Sequence, residues 1–333
     1  MKRTYALAVL ALLACMAAPR AEANDSMAET PIGGLVLTRS SSIALDREDL
    51  FISPEEVRVD YLFTNTGTED IETLVAFPLP DQDYNSESVP AYNLRKELGF
   101  HTTVDGAPVQ YQIVLQAIAG GKDVTDELAE AGLDPDQDWN ALQASLRALD
   151  PAKVEALRKR GLIVEEDGGG EGPVFSSTWK IRTIVTRKQV FPAGRTVAVS
   201  HRYKPLAGGS VGGSLYRQYR NETLPYYKEK YCVEDSWIAA LDKTVARRTP
   251  PGQEFPEIYT ETWLGYVLSS GANWKGPIRD FRLVIDKGRA ENMVSFCAEG
   301  VKKISPTRFE VRKTDFEPRE DLNILIVEWI KPE

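Results

Sequence analysis

The sequence predicts a mainly β protein: two antiparallel β-sandwich-like domains, with a helical insert in the first and a short helix in the second. Three observations carry this. Short stretches alternate apolar and polar residues, as Val57, Val59, Tyr61 and Phe63 do against Arg58, Asp60, Leu62 and Thr64. Turn signals such as Asn65-Thr66-Gly67 and Asp105-Gly106 separate those stretches closely. The alternation gives way to helical spacing in one long excursion, over residues 122–161.

The chain opens with Lys2 and Arg3, an apolar run from Tyr5 to Ala18, and then Ala21-Glu22-Ala23. That is the three-part layout of a secretory signal peptide, cleaved after residue 23. Leu12-Leu13-Ala14-Cys15 approximates a lipobox, but Leu13 suits that motif poorly and the downstream Ala-x-Ala site is cleaner. Residues 24–207 are expected to form the first domain and 208–333 the second. No apolar run reaches the ~18 residues of a membrane span, so the mature chain has no expected transmembrane segment. A net charge of −9 and pI near 5.1 argue against a nucleic-acid partner, because phosphate contacts need a basic face. The expected address is periplasmic or secreted.

Within the first domain, the strand over 57–64 is followed by a second over 71–79, which Pro78 and Pro80 terminate. Asp105-Gly106 makes a tight hairpin, and residues 111–118 continue as a strand. After Gly120-Gly121 come three helices. Asp123 and Asp126 cap the first, which ends near Gly132; Asp138 caps the second, with Leu142, Leu146 and Leu149 on one face. Asp150-Pro151 opens the third and Gly161 stops it, since proline suits the first helical position. A glycine-rich linker, residues 168–172, closes the insert. Trp179, Ile181, Thr183 and Val185 resume the alternation, and Val197, Val199 and His201 lead to Tyr203, so residues 173–205 rejoin the first sandwich.

The stretch from Gly208 to Gly213 is expected to be a flexible boundary. Beyond it, residues 232–247 read as a helix, with Trp237, Leu241 and Val245 four apart. Strands are expected at 262–269, 278–285, 294–297, 309–311 and 322–329. Of three cysteines, Cys15 leaves with the signal, and Cys232 and Cys297 are read as one disulfide of an exported protein.

Few constellations suggest chemistry. Gly208-Gly209-Ser210-Val211-Gly212 matches a nucleophile elbow, but Pro205 ends the preceding strand and no histidine follows Ser210. His101 and His201 are the only histidines; His201 shares the face of Val197 and Val199 and is expected to be structural. Asp81-x-Asp83-x-Asn85 and Asp134-x-Asp136-x-Asp138 begin like calcium loops, but lack the required glycine and glutamate, so no metal site is expected. No phosphate-binding loop is present, and no cofactor is expected. The most unusual composition is Tyr216-Arg217-Gln218-Tyr219-Arg220 with Tyr226-Tyr227 and Tyr231. Tyr216, Arg217, Tyr219, Arg220, Tyr226 and Tyr227 form a candidate binding surface, because tyrosine and arginine combine flat apolar area with polar tips. The bland alternative is that these rings fill a seam between domains.

Several stretches resemble a family of exported bacterial proteins known as domain of unknown function 4424. They are Asn24-Asp25-Ser26, Gly33-Gly34-Leu35, Glu48-Asp49-Leu50-Phe51-Ile52-Ser53, Val75-Ala76-Phe77-Pro78-Leu79-Pro80, Gly271-Ala272-Asn273-Trp274-Lys275-Gly276-Pro277-Ile278 and Val294-Ser295-Phe296-Cys297. The resemblance implies export and carries no established activity or catalytic residue. The first domain also resembles a vault/inter-alpha-trypsin type of β-sandwich, on residues 65–80, the insert and residues 191–203. That implies fold and not function. The function expected is therefore that of an exported, non-catalytic binding or envelope-associated protein, with an envelope protein or glycan as partner. The alternative is a carboxylate-based hydrolase acting on a glycan or peptide.

Overall fold

The computed structural model describes residues 26–29, 36–83, 98–135, 137–167, 172–210, 212–218, 220–252 and 258–330. The expected signal peptide lies outside them. Among the described residues, no helix is long and apolar enough to cross a membrane.

The fold is mainly β, and its sheets are almost wholly antiparallel. An eight-stranded sheet runs in the order β19 (Lys302–Lys303), β20 (Arg308–Phe316), β17 (Ile278–Asp286), β3 (Ile43–Ile52), β4 (Val57–Asn65), β14 (Thr196–Tyr203), β7 (His101–Val104), β8 (Ala107–Pro108). A seven-stranded sheet runs β10 (Lys122–Asp123), β9 (Gln112–Ala119), β13 (Lys180–Phe191), β5 (Ile71–Pro78), β1 (Ser26–Glu29), β2 (Val36–Thr38), with β6 (Gln82–Asp83) also on β13. A four-stranded sheet runs β15 (Gly208–Ser210), β16 (Tyr259–Tyr266), β21 (Leu322–Trp329), β18 (Met293–Phe296). A small ribbon joins β11 (Ile163–Glu166) to β12 (Val174–Ser177).

Local sequence explains most of these elements. The alternation in β4 buries Val57, Val59, Tyr61 and Phe63. At the β7–β8 hairpin, Asp105 (φ 48°) and Gly106 (φ 81°) both take the left-handed conformation that a two-residue turn of matching twist requires. Residues of all three large sheets meet in one core, which includes Leu50, Val59 and Phe63 from the eight-stranded sheet, Phe77 from β5, and Leu264 and Ile324 from the four-stranded sheet. Each fully buried side chain of this size contributes roughly 1.5–3 kcal/mol. The insert folds as α1 (Thr125–Ala131), α2 (Trp139–Ala148) and α3 (Pro151–Lys159). It packs Leu128, Leu142, Leu146 and Leu157 against Leu115, Ala117 and Ile181 of the seven-stranded sheet. Asp138 accepts a hydrogen bond from the Ala141 N–H at 2.9 Å, and Asp150 from Ala152, so both caps are formed.

Three features depart from the sequence reading. First, the 207/208 boundary does not separate two sheets: β17 lies parallel to β3, with Leu283 opposite Leu50 and Ile285 opposite Ile52. A parallel partner is reached by a long crossover, and no local turn signals it. Second, the glycine stretch expected to be a loose linker instead forms β15, because β16 offers it an edge. Third, two helices rather than one stand between β15 and β16: α4 (Arg220–Tyr231) precedes α5 (Asp235–Arg248). α4 has almost no amphipathic pattern and contains Pro225, so its sequence carries little helical signal.

Candidate functional site

β16 carries the alternation that builds the site. Leu264 and Tyr266 turn toward the central core, while Tyr259, Glu261 and Trp263 turn toward α4 and α5. On α4, Tyr227 and Tyr231 are four residues apart and share a face, with ring centroids 5.4 Å apart. Tyr216 stacks on Tyr259 at 4.6 Å and accepts a hydrogen bond from the Ile258 N–H. Glu261 sits in this aromatic shell with 2% of its surface exposed.

Three donors converge on that carboxylate: the Ser214 N–H at 2.7 Å, the Tyr227 hydroxyl at 2.5 Å and the Trp263 indole N–H at 3.1 Å. Burial raises the Glu261 pKa above the usual carboxylate range, against the opposing pull of the donors from Tyr227, Ser214 and Trp263. The same burial, with the Glu261 charge beside it, pushes the Tyr227 phenol well above its ordinary value. Gly213 makes the arrangement possible. A β-carbon there would lie 1.9 Å from Cζ of Tyr259, so only glycine lets residues 212–214 pass close enough to present the Ser214 N–H.

The helices are fixed from outside this shell. Arg220 makes a bidentate pair with Asp242 at 2.9 and 2.7 Å, and Arg217 adds a third bond at 3.0 Å. Partial burial raises the Asp242 pKa, but the bonds from Arg220 and Arg217 outweigh it and hold the carboxyl below its ordinary value. Cys232 ends α4 in a left-handed conformation (φ 51°) and is disulfide-bonded to Cys297, with Cα atoms 5.0 Å apart. The expected pairing is therefore present. Beside it, the Ser295 hydroxyl donates to the Tyr231 carbonyl at 2.9 Å, and the Trp237 indole donates to the Val294 carbonyl.

In front of the Glu261 shell opens a cleft of about 980 Å³. One wall is Pro80–Asp83, including β6; the other is Leu206–Ser210, including β15; Trp263 and Leu264 of β16, Asn323 of β21 and Tyr231 and Lys230 of α4 also line it. Its charged groups are already paired. Asp81 receives two hydrogen bonds from Arg182, both at 2.9 Å, and Asp83 pairs with Lys180 at 3.0 Å. Lys230 donates to the Tyr226 hydroxyl at 2.6 Å.

The tyrosine- and arginine-rich segment is therefore mostly interior rather than a surface. Tyr216 and Tyr227 are buried, and Arg220 is committed to Asp242. Tyr226 is 53% exposed, and the Arg217 side chain stays largely in solvent. Tyr219 lies outside the described residues. The rings fill a seam because α4 docks on β16 and β21, whose Tyr259, Leu325 and Trp329 leave an apolar face to cover. Ser210 lines the cleft and bonds to the Gly212 carbonyl. His201 lies in the central core among Tyr61, Phe77 and Phe100, with centroids 4.9–5.8 Å away, while His101 is exposed on β7. Asn85 and Asp136 of the two acidic runs lie outside the described residues. Among the described residues, no group of three or more histidine, cysteine or acidic side chains could hold a metal.

Sequence reasoning missed Glu261 and Trp263. The signal was a lone acid on the same alternating face as Tyr259 and Trp263, an expensive placement that a structure must compensate. Glu48 repeats the pattern: it is fully buried on the face of Leu50 and Ile52, with the Tyr266 hydroxyl 3.5 Å away and Tyr266 bonded to Tyr61 at 2.9 Å.

No curated protein matches the chain in sequence. Among solved structures, it is similar to a Legionella pneumophila protein described as a proposed nutrient binding protein, at 13% identity and a TM-score of 0.45, over 92% of this chain and 70% of that one. The sequence profile described as Domain of unknown function (DUF4424) matches residues 23–325, nearly the whole chain, and the protein belongs to that family.

Proposed function

We propose that the protein is exported and holds a ligand, without transforming it, in the cleft between β6 and β15. The observation that carries this reading is the pairing state of the acids in and behind the cleft. Asp81 is bound to Arg182, Asp83 to Lys180, and Glu261 to three donors. A carboxylate hydrolase needs one acid held protonated and another free to act as base or nucleophile in the same cavity. Ligand sites are concave and commonly ~300–1,000 Å³, and the cleft has that size, with Leu206, Tyr231, Trp263 and Leu264 set among acidic, amide and backbone polar groups. Export is supported by the three-part leader, by a family profile that begins at residue 23, and by the Cys232–Cys297 bond. An envelope peptide or glycan is the ligand class consistent with that address.

One observation favours the hydrolase alternative: the Glu261 pKa is raised by burial just behind Trp263. Incubating the purified protein with panels of envelope peptides and glycans separates the two readings. Binding predicts a ligand that raises the melting temperature and is recovered intact by mass spectrometry. Cleavage products that vanish with Glu261→Gln would establish the hydrolase instead.

A further inference from the structure

We infer that the ligand of this cleft is an extended peptide segment, bound as an added strand along the free edge of β15. The inference rests on the cleft being the binding site and names what the cleft recognises. Among the described residues, β15 is the terminal strand of its sheet and pairs on one side only, with β16. Across the cleft, β6 pairs only with β13 among the described residues. The two walls therefore each present a short strand that is hydrogen-bonded on one side.

Several other edges give the contrast, although the terminal strand β2 (Val36–Thr38) also lacks lysine and proline. Exposed strand edges invite pairing with foreign chains, and proteins blunt them with lysine, proline or a covering element. β19 is Lys302–Lys303, β8 ends on Pro108, and β10 opens with Lys122. At the far edge of the same four-stranded sheet, the Trp237 indole takes the Val294 carbonyl and the Ser295 hydroxyl is tied to Tyr231. β15 has none of these devices: it is Gly208-Gly209-Ser210. The glycines cannot easily be replaced, because a β-carbon on Gly209 would lie 2.6 Å from the Glu261 carbonyl oxygen. Close approach to β16 thus leaves an edge without bulky side chains, lining the cleft of about 980 Å³.

A row of alternating backbone donors and acceptors is matched by another extended backbone, which is the chemistry of strand addition. Three residues of β15 span ~10 Å, enough to pair with about three ligand residues. Alternate ligand side chains would then meet Trp263, Tyr231 and Leu206, all of which line the cleft.

The test uses the mature full-length protein and an array of random-sequence dodecapeptides. The tightest-binding peptide is compared with two analogues, N-methylated at odd or at even positions, by fluorescence anisotropy. Loss of at least about tenfold in affinity for one methylation register is expected, since those methyl groups remove the donors aimed at β15. Hydrogen exchange should slow at residues 206–210 when the unmethylated peptide is bound. Equal affinity for both analogues, protection confined to other segments, or an array without binders would overturn the inference. Binding of a glycan that is blocked by filling the cleft with Asn323→Trp would retire the peptide and keep the cleft as the site. A peptide whose binding Asn323→Trp leaves unchanged would retire both.

Discussion

At the scale of single residues, Glu261 is held by donors that cost nothing to keep and much to lose. Tyr227→Phe removes the 2.5 Å bond to a buried carboxylate, and a loss of about 1.5–3 kcal/mol in urea unfolding is expected. The loss should grow with pH. Because burial raises the Glu261 pKa, the folded protein binds its proton more readily than the unfolded chain does. That contribution is complete below the ordinary carboxylate value and is lost as pH rises through the raised one. With Tyr227 gone, the charged form loses a donor, so unfolding at pH 8 should show a larger penalty than at pH 5; a pH-independent penalty would contradict the assignment. The glycines beside it make a sharper pair. Gly213→Ala drives a β-carbon into the Tyr259 ring and should cost about 1–3 kcal/mol or more, whereas Gly212 has nothing within 4 Å and its alanine variant should stay within about 0.5 kcal/mol. Equal effects in thermal unfolding would show that residues 212–214 do not pass Tyr259 as described.

At the scale of elements, α4 is held by its anchors more than by its own helical tendency. Asp242→Asn breaks the bidentate bond from Arg220 and should cost about 1–2 kcal/mol at neutral pH, measured by urea unfolding. The wild-type contribution is present above the ordinary aspartate value and is lost as pH falls through the lowered one, so the variant and wild type should converge in acid. Cys232→Ser opens the 65-residue loop, and the chain-entropy model puts that loss at about 4 kcal/mol. The same contrast explains what could be read from sequence. β4, the β7–β8 hairpin, α2 and α3 were legible because period-two burial, Asp-Gly and Asp caps act within a few residues. α1 instead starts at Val124 with no side-chain cap, so the expected capping by Asp123 and Asp126 is not formed. α5 was legible from Trp237, Leu241 and Val245. α4 was not, because its tyrosines are buried by docking on β16 and β21 rather than by a periodic apolar face, and for Tyr216 and Tyr227 the sequence left a surface and a buried seam both open. β15 was hidden because Gly208-Gly209 spells a linker until a neighbouring strand turns it into an edge. The disulfide was legible by counting, whereas Glu261 needed the fold to show which three donors surround it.

At the scale of the whole molecule, pairing of β3 with β17 ties residues 43–52 to residues 278–286, so the first and last thirds of the chain share one sheet. Residues 24–207 expressed alone would leave the β3 edge and the core face of Leu50 and Val59 uncovered, and that fragment should fail to give a cooperative calorimetric transition. The cleft depends on the same closure, since its walls come from residues 80–83 and 206–210 and its floor from β16. Calorimetric titration of one bound envelope peptide or glycan against three proteins tests its role most directly. The proteins are the wild type, Asn323→Trp in the cleft, and the double variant Arg217→Ala/Tyr226→Ala on the exposed remnant of the tyrosine–arginine segment. The account predicts that Asn323→Trp weakens binding at least about tenfold while the double variant stays within about twofold of wild type. Binding retained by Asn323→Trp and lost by the double variant would contradict it and move the ligand to the outer tyrosine face.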